Sequence, residues 1–296
     1  MATITTDLKE NFRRGSIYIQ LIYINVAVFV LTTLAEVLFR LFNRSLAGVF
    51  EWLELPASLS RFILQPWSLL TYMFMHAGLT HILFNMLWLY WFGALFLRFF
   101  SAKHLRGIYV LGGICGGLLY MLAYNVFPYF RPVTDYSFML GASASVLAVV
   151  AATAYREPDE PIRLLLLGTI RLKYLALIVI GTDLLFVTSE NAGGHIAHLG
   201  GALAGLWFAS SLSRGTDIVR WINGALDAVS SLFSPRPRKP KMKVHYGTGR
   251  QQDYDYNARK KARTDEIDRI LDKLRKSGYD SLSTEEKKSL FDASKR

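Results

Sequence analysis

Asn191-Ala-Gly-Gly-His-Ile-Ala-His-Leu-Gly-Gly-Ala-Leu-Ala-Gly205 is the stretch on which the reading of this chain turns. Two histidines, His195 and His198, lead directly into an apolar run ending near Leu212, so a helix otherwise suited to lipid carries titratable groups in its first turns. Polar groups at membrane depth are costly and mark function. Gly201 and Gly205 stand four apart, hence on one helix face, where they let a neighbouring backbone approach closely. A second helix is therefore expected against that face, within reach of an imidazole.

The rest of the chain supports a membrane setting. Of its 296 residues 52% are apolar, with a mean hydropathy of +0.24. Several separate runs reach the roughly 17 to 25 apolar residues that a helix needs to cross a bilayer. The expected fold class is all-α, a polytopic membrane protein with six transmembrane helices over about 18–38, 81–100, 105–125, 143–155, 172–188 and 195–212. The apolar run after Gly15 is too long for a signal-peptide core and lacks a small-x-small cleavage site, so it counts as a retained span. The single cysteine, Cys115, lies in an apolar run and can form no internal disulfide. The net charge of +11 does not argue for nucleic acid, because much of it lies in the tail after Ser213 and in short loops, where it orients a membrane protein.

An even number of spans puts both termini on one side, and the basic residues choose which. Lys9, Arg13 and Arg14 precede the first span; Arg98, Lys103 and Arg106 lie near the second loop; Arg156, Arg163, Arg171 and Lys173 lie near the fourth. The opposite loops hold Arg40, Arg44, Arg61 and Arg131, so the termini are expected in the cytoplasm. Four segments follow: an N-terminal segment 1–17, a membrane domain 18–212, a basic linker 213–262 containing Pro235-Arg-Pro-Arg-Lys-Pro240, and a helical hairpin module 263–296. Ile267, Ile270, Leu271 and Leu274 recur at helical spacing before Gly278, and Ser283-Thr-Glu-Glu286 is a capping-box pattern. The loop 43–80 mixes tryptophans with scattered charges, as short amphipathic pieces at an interface would. Asp183, deep in the fifth span, is expected to face other helices and is assigned no chemistry.

Polar residues cluster at the openings of three spans. The second opens with His76-x4-His81-x3-Asn85, the fourth with Gly141-Ala-Ser143-Ala-Ser145 and the sixth with His195-x2-His198. The predicted topology turns all three outward. The fourth span has about 13 residues, roughly 20 Å of helix, in a hydrocarbon core of about 30 Å. Ser143 should therefore lie below the surface, reached by irregular backbone of the kind that lines wet cavities. A serine hydroxyl becomes a nucleophile beside a base, and imidazole is the base available near neutrality. Ser143 and His198 are the natural pair, brought together by Gly201 and Gly205 against Ala144, Ala148 and Ala151. Asn85 and His81, four apart on one face, suit donation to an oxyanion beside the Ser143 N–H. His195 is read as ordering the loop before it, His76 as bracing the first loop, and Ser145 as facing elsewhere.

Together these motifs, Gly141-Ala-Ser143-Ala, Ala197-His-Leu-Gly-Gly201 and His76-x4-His-x3-Asn85, resemble the rhomboid intramembrane serine proteases of the bacterial six-helix type. The resemblance covers about 18–212. It implies a Ser143–His198 dyad with no acidic third member, oxyanion donors His81 and Asn85, and no cofactor. It also implies transmembrane protein substrates cut near the outer face of a bacterial cytoplasmic membrane. The chain departs from the family pattern at four places. Ala144 stands where glycine is common, Phe96 where many members carry glutamate, Ser68 where arginine often follows the loop tryptophan, and Leu147 where an aromatic ring commonly stacks on the histidine.

Two other readings compete. A zinc site would use the histidine clusters, but His195-x2-His198 and His76-x4-His81 come with no acidic or thiol partner nearby in sequence. A non-catalytic relative would bind transmembrane clients without cutting them, against which the intact serine and histidine argue.

Overall fold

A computed structural model of the chain describes residues 12, 15–164, 168–233 and 249–294. Most of the expected segment 1–17 and the proline-rich stretch 235–240 lie outside the described residues. The chain divides into two compact units, 1–235 and 236–296.

Four helices of the first unit are long and apolar enough to cross a membrane: α1 (Ile17–Leu41), α2 (Leu79–Phe96), α3 (Ala102–Val126) and α6 (Ala192–Ser213). Two shorter ones, α4 (Ser143–Arg156) and α5 (Leu172–Leu185), have 14 residues each, roughly 21 Å of rise. α3 begins at a capping box in which Ser101 Oγ accepts from the His104 N–H and His104 Nδ1 accepts from the Ser101 N–H. A histidine thus does what glutamate usually does there. The predicted second span overran, because residues 97–100 leave the helix in turns.

α4 is the axis of the unit. Eleven of its 14 residues are buried, Ala144 to Ala154 without a break. α3 and α6 meet it through glycines: a Cβ at Gly112 would lie 2.4 Å from Ala148 Cβ, and one at Gly116 would lie 2.6 Å from Ala144 Cβ. α1 is the opposite case, with only Leu21 and Asn25 buried. Its amide Asn25 Nδ2 donates to Tyr109 Oη at 3.1 Å and holds α1 on α3.

The loop before α2 contains short helices Ala47–Phe50, Leu59–Leu64 and Ser68–Thr71, and a strand, β1 (Leu55–Pro56). β1 pairs antiparallel with β2 (Phe138–Met139), which fastens this loop to the chain just before Ser143. Between α4 and α5, β3 (Pro161–Leu164) and β4 (Gly168–Arg171) form an antiparallel ladder with Ile162 opposite Ile170.

The stretch 213–262 is not simply a linker. α7 (Arg220–Phe233) lies within it, because Val219 and Ile222 bury fully or nearly so against the membrane unit. Gly107 of α3 makes room: a Cβ there would lie 2.6 Å from Val219 Cβ. Arg106 secures the contact, with Nε donating to Asn223 Oδ1 at 3.0 Å and Nη2 to Asp227 Oδ1 at 2.8 Å.

In the second unit α8 (Gly249–Ser277) starts well before the boundary expected at 263 and ends at Gly278, which takes φ +77°. α9 (Thr284–Ser294) is capped reciprocally by Ser283 and Glu286, and Lys273 of α8 pairs with Glu286 at 2.8 Å. Among the described residues of this unit, Ile270 and Leu282 are the buried hydrophobic side chains.

Candidate functional site

Three helices begin at one end of the first unit, and the residues singled out in the sequence lie there. α4 starts at Ser143 after a backbone that leaves the helical region at Gly141. This glycine has φ +130°, a conformation open to glycine and strained for other residues. Its N–H donates to Tyr72 O at 2.9 Å. A Cβ at position 141 would lie 2.9 Å from His81 Nε2 and 3.7 Å from Ser143 Oγ. Those two polar atoms therefore border the same small space.

On α2, Asn85 is buried and its Nδ2 donates to His81 O at 2.9 Å. The Ala77 N–H points at His81 Nδ1 at 3.4 Å, which assigns the ring proton to Nε2. His76, in the loop before α2, is buried with its ring edge-on to His81 at 5.1 Å between centroids. Burial, and then His81, push its pKa down to about 4, so this imidazole is neutral near pH 7.

α6 touches α4 backbone to backbone. A Cβ at Gly201 would stand 2.1 Å from Ala144 O, and one at Gly205 would stand 2.2 Å from Ala148 O. Such distances exclude any side chain at either position. The contact carries His198 to the wall of a cavity of about 870 Å³ that Ser143, His81 and Asn85 also border. Leu147, Tyr120 and Tyr124 complete the lining near them. Ser143 and His198 are half-buried and reachable from the cavity. Ser145 is fully buried outside it, with Oγ 3.9 Å from Met73 Sδ.

Asp183 is the residue that sequence reasoning left without a task. It is one of three buried positions on α5, after Leu172 and Ala176 at helical spacing. Its Oδ1 lies 2.8 Å from His195 Nδ1 and 2.8 Å from His198 Nδ1. His195 does not start α6 as expected; the helix begins three residues earlier, at Ala192, and the ring turns to this carboxylate.

The acidic partner missing from the histidines' neighbourhood in sequence is supplied by α5. Asp183, His195 and His198 offer ligand-type atoms within 4.8 Å of one another. The distances themselves favour hydrogen bonding. Ligands of a tetrahedral zinc stand roughly 3.3 Å apart, given bonds of about 2.0 Å, whereas both N···O separations are 2.8 Å.

The sequence departures have structural replacements. Phe96 is fully buried and stacks with Phe100 and Phe208, filling an apolar junction between α2 and α6 where a carboxylate would need a partner. The loop tryptophan needs no arginine: Trp67 stacks on Trp52 at 6.0 Å and donates from Nε1 to Trp52 O at 2.8 Å. Gln65 adds bonds to Glu51 O and Glu54 O. No ring stacks on His198 from position 147, where Leu147 stands, and Asp183 holds that imidazole instead. A second small-residue face also went unread, although Gly112, Gly113, Gly116 and Gly117 were a legible signal.

Comparison with known proteins agrees with this architecture. A family profile described as the Rhomboid domain matches residues 64–215. A profile described as a family of unknown function, DUF6576, matches 251–296. The chain is 29% identical over 144 residues to RHOMBOID-like protein 12, mitochondrial, of Arabidopsis thaliana, a match covering 46% of the chain and 43% of the relative. It is 28% identical over 148 residues to Rhomboid protease GluP of Bacillus subtilis (strain 168), covering 49% of the chain and 26% of the relative. The matched region thus spans less than half the length of either relative. With the profile covering half of its residues and apolar helices on which to span the bilayer, this multi-pass membrane protein belongs to the rhomboid family.

Proposed function

We propose that the chain is an intramembrane serine endopeptidase in which Ser143 is the nucleophile and His198 its base. The observation that carries the reading is that Ser143, His198, His81 and Asn85 border one cavity at the end of the bundle. Family membership supports intramembrane proteolysis in general.

In the reaction, Ser143 Oγ attacks the scissile carbonyl while its proton passes to His198 Nε2, and the carbonyl electron pair moves onto the oxygen. His81 Nε2–H, the second amide hydrogen of Asn85 and the Ser143 N–H receive that oxyanion. Collapse breaks the C–N bond as His198 returns the proton to the leaving amine. Water, deprotonated by the same imidazole, then hydrolyses the acyl-serine. A helical substrate keeps its carbonyls bonded, so susceptible segments carry small or helix-breaking residues that let the backbone unwind.

The topology proposed is six spans, with α4 and α5 as the two short ones, both termini in the cytoplasm and the cavity opening to the outer face of a bacterial cytoplasmic membrane. Substrates are transmembrane proteins, no cofactor is used, and unit 2 is an accessory helical hairpin.

The test is cleavage of a panel of single-span fusions together with fluorophosphonate labelling. Wild type should cut and label, while Ser143→Ala and His198→Ala should lose cleavage by a factor of about 10³ or more. Loss in one variant with full activity in the other would end the pairing. Binding of the fusions without cutting or labelling would favour a non-catalytic client binder.

A further inference from the structure

We infer that Asp183 is the third member of this site, a positioning residue that fixes the tautomer and orientation of His198. The inference rests on His198 being the base proposed above. His198 Nδ1 stands 2.8 Å from Asp183 Oδ1. A carboxylate accepts and cannot donate, so Nδ1 carries the proton and the Nε2 lone pair is left for the cavity. That is the tautomer a base needs to accept from Ser143 Oγ. A neutral partner that donated to Nδ1 would put the ring proton on Nε2 and disable it.

The carboxylate is itself held in place. His195 Nδ1 lies 2.8 Å from the same Oδ1, and Asp183 Oδ2 has no hydrogen-bond partner among the described residues. Both bonds thus converge on one oxygen of a side chain that is 6% exposed. His195 orients Asp183 from one side, and Asp183 orients His198 on the other. When Ser143 gives up its proton, the resulting imidazolium faces a carboxylate across a hydrogen bond; the proton on Nδ1 stays there.

The test uses the full-length protein in detergent, with a single-span fusion as substrate. Asp183→Asn keeps size and shape but can donate to Nδ1. It should lower kcat about 100-fold or more, with KM within about twofold and thermal melting close to wild type. Wild-type kcat in that variant, or a loss confined to KM or to melting, would overturn the inference. Ser143→Ala separates the failures: if it abolishes fluorophosphonate labelling while Asp183→Asn labels at the wild-type rate, the role of Asp183 falls and the Ser143–His198 pair stands. A wild type that neither cuts nor labels takes both down. Should Asp183→Asn fail to fold, nitrogen NMR of histidine-labelled wild type decides, with His198 assigned through His198→Gln. Protonation at Nδ1 in the neutral ring supports the inference, and protonation at Nε2 sinks it.

Discussion

α4 and α5 have the same length and both pack against α6, yet they are held in opposite ways. Eleven of the 14 residues of α4 are buried, and its backbone touches that of α6 at Gly201 and Gly205. α5 buries three residues, Leu172, Ala176 and Asp183, and turns Leu177, Ile178, Leu184 and Leu185 outward. The lesson concerns what apolar surface does in lipid. Hydrocarbon tails satisfy leucine as well as a protein interior does, so hydrophobicity alone gives no grip between helices. α4 is gripped by close van der Waals packing of small residues along its whole length, α5 by one polar residue and the packing of Leu172 and Ala176 at its foot.

The sharpest way to break the comparison is to add bulk at the seam. Gly201→Leu should destabilise the protein by about 3 kcal/mol or more, because the obstacle is the Ala144 carbonyl rather than a side chain that can swing aside. Cleavage should disappear with it. The same change at Gly181 on α5, where a Cβ would meet nothing within 4 Å, should cost no more than about 0.5 kcal/mol. Melting curves in detergent compare the two, and equal losses would erase the distinction.

A middle-sized effect is expected at the foot of α5. Leu172 is fully buried, and Leu172→Ala should cost about 2–3 kcal/mol, the lower part of the range for such truncations, since the site is at the rim of the core. A loss below about 1 kcal/mol would mean that α5 is held by its polar residue alone.

The smallest effect lies in the connection between the two helices. Asp159 accepts from Lys173 at 2.7 Å and Arg171 at 3.0 Å, and the Lys173 bond first, with both charges, holds its carboxyl below the usual range. A lowered folded-state pKa stabilises at pH values above the ordinary carboxylate range and is lost as the pH falls through the lowered value. Asp159→Asn should therefore melt slightly lower than wild type at pH 7 and equally at strongly acid pH. Asp159 and Arg171 are largely exposed, so the difference should shrink in high salt. A gap that persisted in acid would point to backbone geometry instead.

The helices themselves were legible. Apolar runs and their flanking charges located them to within a few residues, because a span must satisfy every backbone group internally and so becomes a helix. Three features were not. β3 and β4 hid in 161–171 because arginine-interrupted apolar residues fit an interfacial helix as well as an alternating strand. α7 was taken for linker although Ile218, Val219, Ile222 and Leu226 sit at helical spacing; the basic charges around it dominated the reading. Asp183 was visible as a polar residue in a span, but its partners were not. It stands 12 and 15 residues before the two histidines, across a turn whose direction only the fold decides. Proximity along the chain could not reveal a carboxylate delivered from the preceding helix.

The Ala144–Gly201 contact has a mechanical corollary. Two helices that meet at their main chains have no cushion of side chains to compress, so this wall of the chamber acts as a fixed jig. The cavity walls on α2 and α5, by contrast, are faced with side chains.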